Sequence, residues 1–184
     1  MNQAIPHDSA KLHVTGEARY VDDIPLPAKT LHLAFGLSSI AKGEIKSIDL
    51  SAVRAAPGVL DIILSKDLPF TNDVAPNAHD EQLLADTHVN FIGQPIFIVV
   101  AKAHTQARYA STLAIIDYNE GNPIISIDEA INADNRFEEG PRIYDTGDTV
   151  SALKSSPFTL EGKLELGGQE HFYLEGQAAI ASPQ

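Results

Sequence analysis

The stretch Ile96-Phe97-Ile98-Val99-Val100-Ala101-Lys102-Ala103-His104-Thr105-Gln106-Ala107-Arg108-Tyr109-Ala110-Ser111-Thr112-Leu113-Ala114-Ile115-Ile116-Asp117-Tyr118 decides the fold class. Its first six residues are an unbroken apolar run, which predicts a buried strand from Ile96 to Ala101. Ala107, Ala110 and Ala114 then recur at three- and four-residue spacing. That period predicts a helix from about His104 to Thr112 with a small-residue face able to lie close against a sheet. Leu113 to Tyr118 returns to strand character. Strand, helix and strand in immediate succession imply an α+β arrangement with mixed secondary structure around one core.

Upstream, Leu31 to Ser38 alternate loosely and predict a strand, and Glu44 to Ile48 a second, shorter one. Asp49 or Ser51 can cap a brief helix through Ala55, because a short side-chain oxygen accepts a bond from an otherwise unpartnered backbone N–H. Pro57-Gly58 stops that helix, and Val59 to Leu64 is a further buried-strand candidate. Asp67-Leu68-Pro69 leads into a stretch rich in Asn, Asp, Pro and Ala that runs to Thr87 without a sustained period. It is expected to be a long surface loop.

Downstream, Asn119 to Thr149 carries Gly121, Pro123, Gly140, Pro141 and Gly147, with one short helix expected near Asp128 to Asn132. Asp148 can cap a further helix through Leu153. Phe158, Leu160, Leu164 and Leu166 then alternate with Thr159, Glu161, Lys163 and Glu165, the strongest β pattern in the chain. The organisation expected from these breaks is a first domain over residues 1–120, a connector over 121–146 and the beginning of a second domain over 147–184.

The chain has 184 residues, with 13 Lys and Arg against 25 Asp and Glu and a formal charge of -12, so a phosphate backbone would be repelled and nucleic acid is not an expected partner. The apolar run at Phe97 to Ala101 is too short to span a bilayer. Met1-Asn2-Gln3-Ala4-Ile5-Pro6-His7 has neither a basic head nor an apolar core, so no secretory signal is expected and the location is read as cytoplasmic. No cysteine is present, which excludes disulfides, a thiolate nucleophile and a cysteine-held iron–sulfur cluster in this segment. The phosphate-loop, HExxH and GxSxG patterns are also absent.

Four groups of residues could carry chemistry. Gln169 follows Gly167-Gly168 after the patterned strand, where a neutral amide could donate to an oxo group without adding charge. The same three residues can equally make an ordinary turn whose glutamine serves nearby backbone, and the spacing alone favours that. His171 and Glu175 stand four apart, as two metal ligands on one helical face would, but no third ligand is nearby. His7, His13, His32, His79, His88 and His104 show no paired spacing, so no protein-only zinc site is expected. Asp22-Asp23 are adjacent and would point apart in extended chain, so a solvated or capping role is expected rather than a shared substrate atom. No Ser or Thr is paired with a base as an activated nucleophile would need.

Three stretches, in this order and separation, carry a resemblance: Thr15-Gly16-Glu17-Ala18-Arg19-Tyr20-Val21-Asp22-Asp23-Ile24-Pro25, the turn Ala56-Pro57-Gly58-Val59, and Gly167-Gly168-Gln169-Glu170-His171-Phe172-Tyr173-Leu174-Glu175-Gly176-Gln177. Together they resemble the xanthine dehydrogenase and aldehyde oxidase family of molybdenum hydroxylases, over nearly the whole chain from His7. The first is similar to the opening of the family's α/β hammerhead domain, and the last to the entry of its molybdopterin-binding domain. Glu175-Gly176-Gln177 looks like the form in bacterial members whose large subunit is a separate chain, which places the sequence on the xanthine side of the family.

The resemblance implies a mixed α/β hammerhead domain followed by the first strands of a truncated molybdopterin-binding domain. It implies oxidation of xanthine or hypoxanthine to urate, with the hard chemistry supplied by a molybdenum–molybdopterin cofactor. Electrons would pass through iron–sulfur and FAD centres on a partner subunit to NAD. Gln169 would contact the cofactor, through a hydrogen bond to an oxygen on molybdenum, with Gly168 beside it. The family's base glutamate, its arginine clamp and most pterin contacts lie further along than Gln184, and neither Glu170 nor Glu175 takes the base's place. The isolated segment is therefore expected to be inactive and to hold no cofactor. Two other roles are a folding and interface module that shapes a substrate funnel, and a free-standing small-molecule-binding α/β domain.

Overall fold

A computed structural model describes residues 5–76, 79–136, 140 and 143–182. In chain order the elements are α1 (Ala10–Thr15), β1 (His32–Leu37), β2 (Gly43–Asp49), α2 (Ser51–Ala55), β3 (Val59–Leu64), β4 (His88–Val89), β5 (Pro95–Ala101), α3 (His104–Ser111), β6 (Ile115–Glu120), α4 (Ile127–Asn132) and α5 (Thr149–Ser155). Short 3-10 turns occupy Val21–Asp23 and Ser65–Asp67. The chain divides into two compact units, one of Ala28–Pro141 and one of Met1–Pro27 with Arg142–Gln184.

The unit Ala28–Pro141 holds two antiparallel sheets, of order β1-β5-β3 and β4-β2-β6. The apolar run of β5 makes it the central strand of the first sheet, and from Ile96 to Ala101 it is buried throughout. Ala34 of β1 and Ile62 of β3 both face Val99, so three strands contribute to one inner row. Phe97, Val99 and Ala101 join Val53 of α2 and Ala107 and Ala110 of α3 in a single core. Ile45, Ile48, Ile116 and Tyr118 of the second sheet pack against the same core. Small residues at positions 107 and 110 let α3 sit close on β1 and β5, because no longer side chain holds the backbones apart.

The elements expected in this unit form, with two refinements. The last strand of the strand–helix–strand stretch begins at Ile115 rather than Leu113, and it pairs with β2, not with β5. The stretch thus ties two sheets together instead of making a parallel crossover within one. Asp49 Oδ1 accepts the Ser51 N–H at 2.8 Å and so serves the start of α2. Gly58 takes φ +84 in the turn after α2, and its carbonyl accepts the Lys102 N–H at 3.0 Å. The long segment before β4 is pinned at its end: Asn72 exchanges two hydrogen bonds with the backbone of Leu84, at 2.7 and 3.0 Å, and Leu84 and Ala85 are buried. Loop character there coexists with an anchored core contact.

In the other unit, α5 runs from Thr149 with Asp148 Oδ1 accepting the Ser151 N–H at 2.9 Å, as expected of a capping aspartate. The first strand of a following domain, expected over Phe158 to Leu166, does not form among the described residues. Phe158, Leu160, Leu164 and Leu166 are all exposed, and no ladder runs through them. Alternation supplies one apolar face, but a strand exists only when neighbouring chain pairs its N–H and C=O groups, and no described segment does so here.

Candidate functional site

The site begins at α1, which ends where Gly16 takes the left-handed conformation at φ 74 and donates its N–H to His13 O. The chain then reaches Tyr20, whose N–H donates to Asp23 Oδ2 at 3.0 Å while the Asp23 N–H returns to Tyr20 O at 3.0 Å. Asp23 is therefore a cap, as its spacing suggested, and Asp22 and Asp23 do not converge on a common point of chemistry. The Val21 N–H, next in line, donates to Glu175 Oε1 at 2.5 Å across 154 residues of sequence. Tyr20, Val21, Tyr173, Leu174 and Gly176 line a cavity of about 430 Å³ around that bond. The first and third resembling stretches thus meet in space.

His171 and Glu175 are not brought together as a ligand pair. The segment is not helical, the His171 ring stacks on Tyr173 at 5.4 Å and 8°, and Glu175 is engaged by Val21. Among the described residues no group of three His, Cys, Asp or Glu side chains could hold a metal ion. His32 and His104 approach one another at 6.4 Å between rings, and His79 pairs with Asp73 at 2.6 Å. The Asp73 carboxylate is held below the usual aspartate range first by the Ala75 N–H and then by His79.

Gln169 is exposed, and among the described residues no group engages its amide. Gly167 and Gly168 have open space where a Cβ would stand, so no contact among the described residues requires glycine at either position. An exposed neutral donor preceded by two residues without side chains fits the approach of a bulky cofactor carrying oxygen acceptors. Glu170 Oε1 accepts the Phe172 N–H at 3.2 Å and is committed locally. What the residues alone left unseen is the Glu175–Val21 bond, because no spacing rule links positions so far apart.

Two antiparallel sheets over one core, with a strap joining the segments before and after them, define an α/β hammerhead domain and its flank. Residues 15–122 match the family described as aldehyde oxidase and xanthine dehydrogenase, a/b hammerhead domain. The chain belongs to this xanthine dehydrogenase and aldehyde oxidase family. It is 40% identical over 185 residues to xanthine dehydrogenase of Oryza sativa subsp. japonica, a match covering 100% of this chain and 14% of that protein. Aldehyde oxidase 1 of Cavia porcellus is likewise 40% identical, over 100% of this chain and 14% of its own length. Among solved structures, the aldehyde oxidoreductase of Desulfovibrio gigas superposes with a TM-score of 0.71 at 29% identity, over 85% of this chain and 19% of that one. The chain therefore spans about one seventh of the length of these curated relatives. No helix among the described residues is long and apolar enough to cross a membrane.

Proposed function

We propose that this chain is the leading segment of a cytoplasmic molybdenum hydroxylase acting on xanthine or hypoxanthine, with residues 147–184 beginning the cofactor-binding domain. When bound, the molybdenum–molybdopterin group supplies the oxygen-transfer and two-electron chemistry. Gln169 binds it by donating its amide N–H to an oxygen of the cofactor, stabilising charge there without adding a full charge of its own. Gly167 and Gly168 keep the approach clear of side chains. Electrons leave through iron–sulfur and FAD centres on a partner subunit to NAD, and these 184 residues, which contain no cysteine, hold no cysteine-ligated cluster themselves. A single observation carries the reading: the Gly167–Gln177 string holds an exposed, unengaged glutamine amide and is tied to the Thr15–Pro25 string by a hydrogen bond.

The test is Gln169→Ala in the full-length enzyme. A drop in xanthine turnover of roughly 100-fold, the size associated with removing one preorganised donor, is expected at unchanged melting temperature. Unchanged turnover would remove Gln169 from the site. The 184-residue chain by itself is expected to contain no molybdenum and to leave xanthine unoxidised with a dye acceptor; stoichiometric metal by elemental analysis would overturn that.

A second role, as a folding and interface module, is favoured by one feature of the hammerhead unit. Leu33, Phe35 and Leu37 point to the face of β1 opposite α3 and are 57%, 47% and 52% exposed. Such an apolar row suits contact with the rest of a larger polypeptide. Leu33→Ser with Phe35→Ser should lower the yield of folded full-length enzyme while leaving kcat per molybdenum unchanged; equal loss of both would argue against a purely structural contribution.

A further inference from the structure

Between Pro157 and Ser182, Glu175 is the one described residue that is half-buried and not exposed. Its carboxylate has a specific occupation. The first amides of a helical turn have no partner within the turn. In the Val21–Asp23 turn, Asp23 Oδ2 takes the amide of Tyr20, and Glu175 Oε1 takes that of Val21. A hydrogen bond to an ionised carboxylate is among the stronger kinds. The chain between this bond and Gln169 is not a free tether. Phe172 adopts φ 56, its N–H donates to Glu170 Oε1 at 3.2 Å, and the His171 and Tyr173 rings stack.

We propose that Glu175 is a positioning residue: by bonding the Val21 amide it pins the Tyr173–Gln177 limb to the Thr15–Pro25 segment, and so fixes where Gln169 presents its amide. The inference rests on reading Gln169 as a cofactor contact. Glu175 itself touches neither cofactor nor substrate, and its work is done through the backbone of Val21. An acceptor oxygen at this position is what matters, so glutamine should serve in its place and alanine should not.

Two measurements test it. In the 184-residue chain, hydrogen exchange read by NMR should find the Val21 amide about tenfold faster in Glu175→Ala than in the wild type, and within about twofold of it in Glu175→Gln. In the full-length enzyme, Glu175→Ala should lower kcat by on the order of 10- to 100-fold at unchanged KM and molybdenum content, the cost of misplacing a catalytic group from a distance. Glu175→Gln should restore it. Equal Val21 exchange in all three proteins, wild-type kcat in Glu175→Ala, or a glutamine variant as slow as the alanine one would each overturn the proposal. Where Glu175→Ala does not fold at full length, Glu175→Gln decides: wild-type kcat with slow Val21 exchange supports the role, and low kcat sinks it. Wild-type turnover in Gln169→Ala, with Val21 still protected, would instead remove the cofactor reading and leave the Glu175–Val21 bond standing.

Discussion

Gly58 and Gly168 are both turn-like glycines by sequence, yet the structure uses them differently. Gly58 lies at φ +84, and a Cβ there would collide with the Gln106 amide. Gly58→Ala therefore meets left-handed strain and a steric clash together, and should cost about 1–3 kcal/mol. A urea titration checks this, and an unmoved midpoint would show that neither the left-handed strain nor the Gln106 contact costs stability. Gly168 meets nothing and is not in the left-handed region. Gly168→Ala should change the stability of this chain by less than about 0.5 kcal/mol, so that any loss of activity at full length reports on the cofactor's approach and not on folding. The sequence made the Ala56–Val59 turn legible through its Pro-Gly pair. The role proposed for Gln169 rests on family resemblance, because a single amide has no spacing signature. The partner of Glu175 was not legible at all, since a bond to a backbone N–H leaves no mark on the residue that donates it.

At the level of elements, those with an apolar pattern of their own were readable, whereas whether such a pattern finds a partner strand was not. Strand β3 and helix α3 follow directly from an apolar run and an alanine period. The two-residue β4 has no pattern of its own and exists because Gly43 and Glu44 pair with it. The alternation from Phe158 to Leu166 is stronger than that of β1, yet among the described residues no ladder runs through it and it makes no strand. The caps are local and hence testable by acid. The Ser151 hydroxyl and then its N–H hold Asp148 below its ordinary value of 3.8, and the backbone amide of Ile125 and the Ser126 hydroxyl do the same for Glu129. A carboxylate whose folded pKa is depressed contributes stability above its unfolded pKa and loses it as pH falls through the folded value. The helical signals of α4 and α5 should therefore fade below about pH 4, the range of ordinary carboxylates, while the core strands persist. Asp148→Asn should keep α5 and remove its acid dependence, because asparagine also caps well and does not ionise. Residue-resolved NMR through an acid titration checks both, and an α5 signal that still tracks acid in Asp148→Asn would place the titrating group elsewhere.

For the molecule as a whole, burial is distributed unequally between its two units, and this sets how the chain should meet a protease. Every residue of the core lies in Ala28–Pro141, where Phe97, Ile96 and Val99 are fully buried. Residues 157–182 contribute none, and the segment around Lys163 belongs to no helix or strand. Cleavage requires local opening of the backbone, which costs little where few apolar contacts and no ladder bonds must be broken. Trypsin should therefore cut the chain after Lys154 and Lys163 well before it cuts after Arg54 or Lys102, leaving the hammerhead unit intact. Phe97→Ala tests the cause: removing a buried ring should cost about 3–5 kcal/mol, a large part of the stability of a domain this size, and cuts after Arg54 and Lys102 should then appear together with that after Lys163. In the longer protein proposed above, the order at Lys163 should reverse. If residues 158–166 enter a sheet completed by the rest of the polypeptide, the bond after Lys163 becomes as resistant as the core strands. Rapid cleavage there in the longer protein would mean that the pattern never acquires its ladder, and that no strand orders the Gly167–Gln169 segment beyond it.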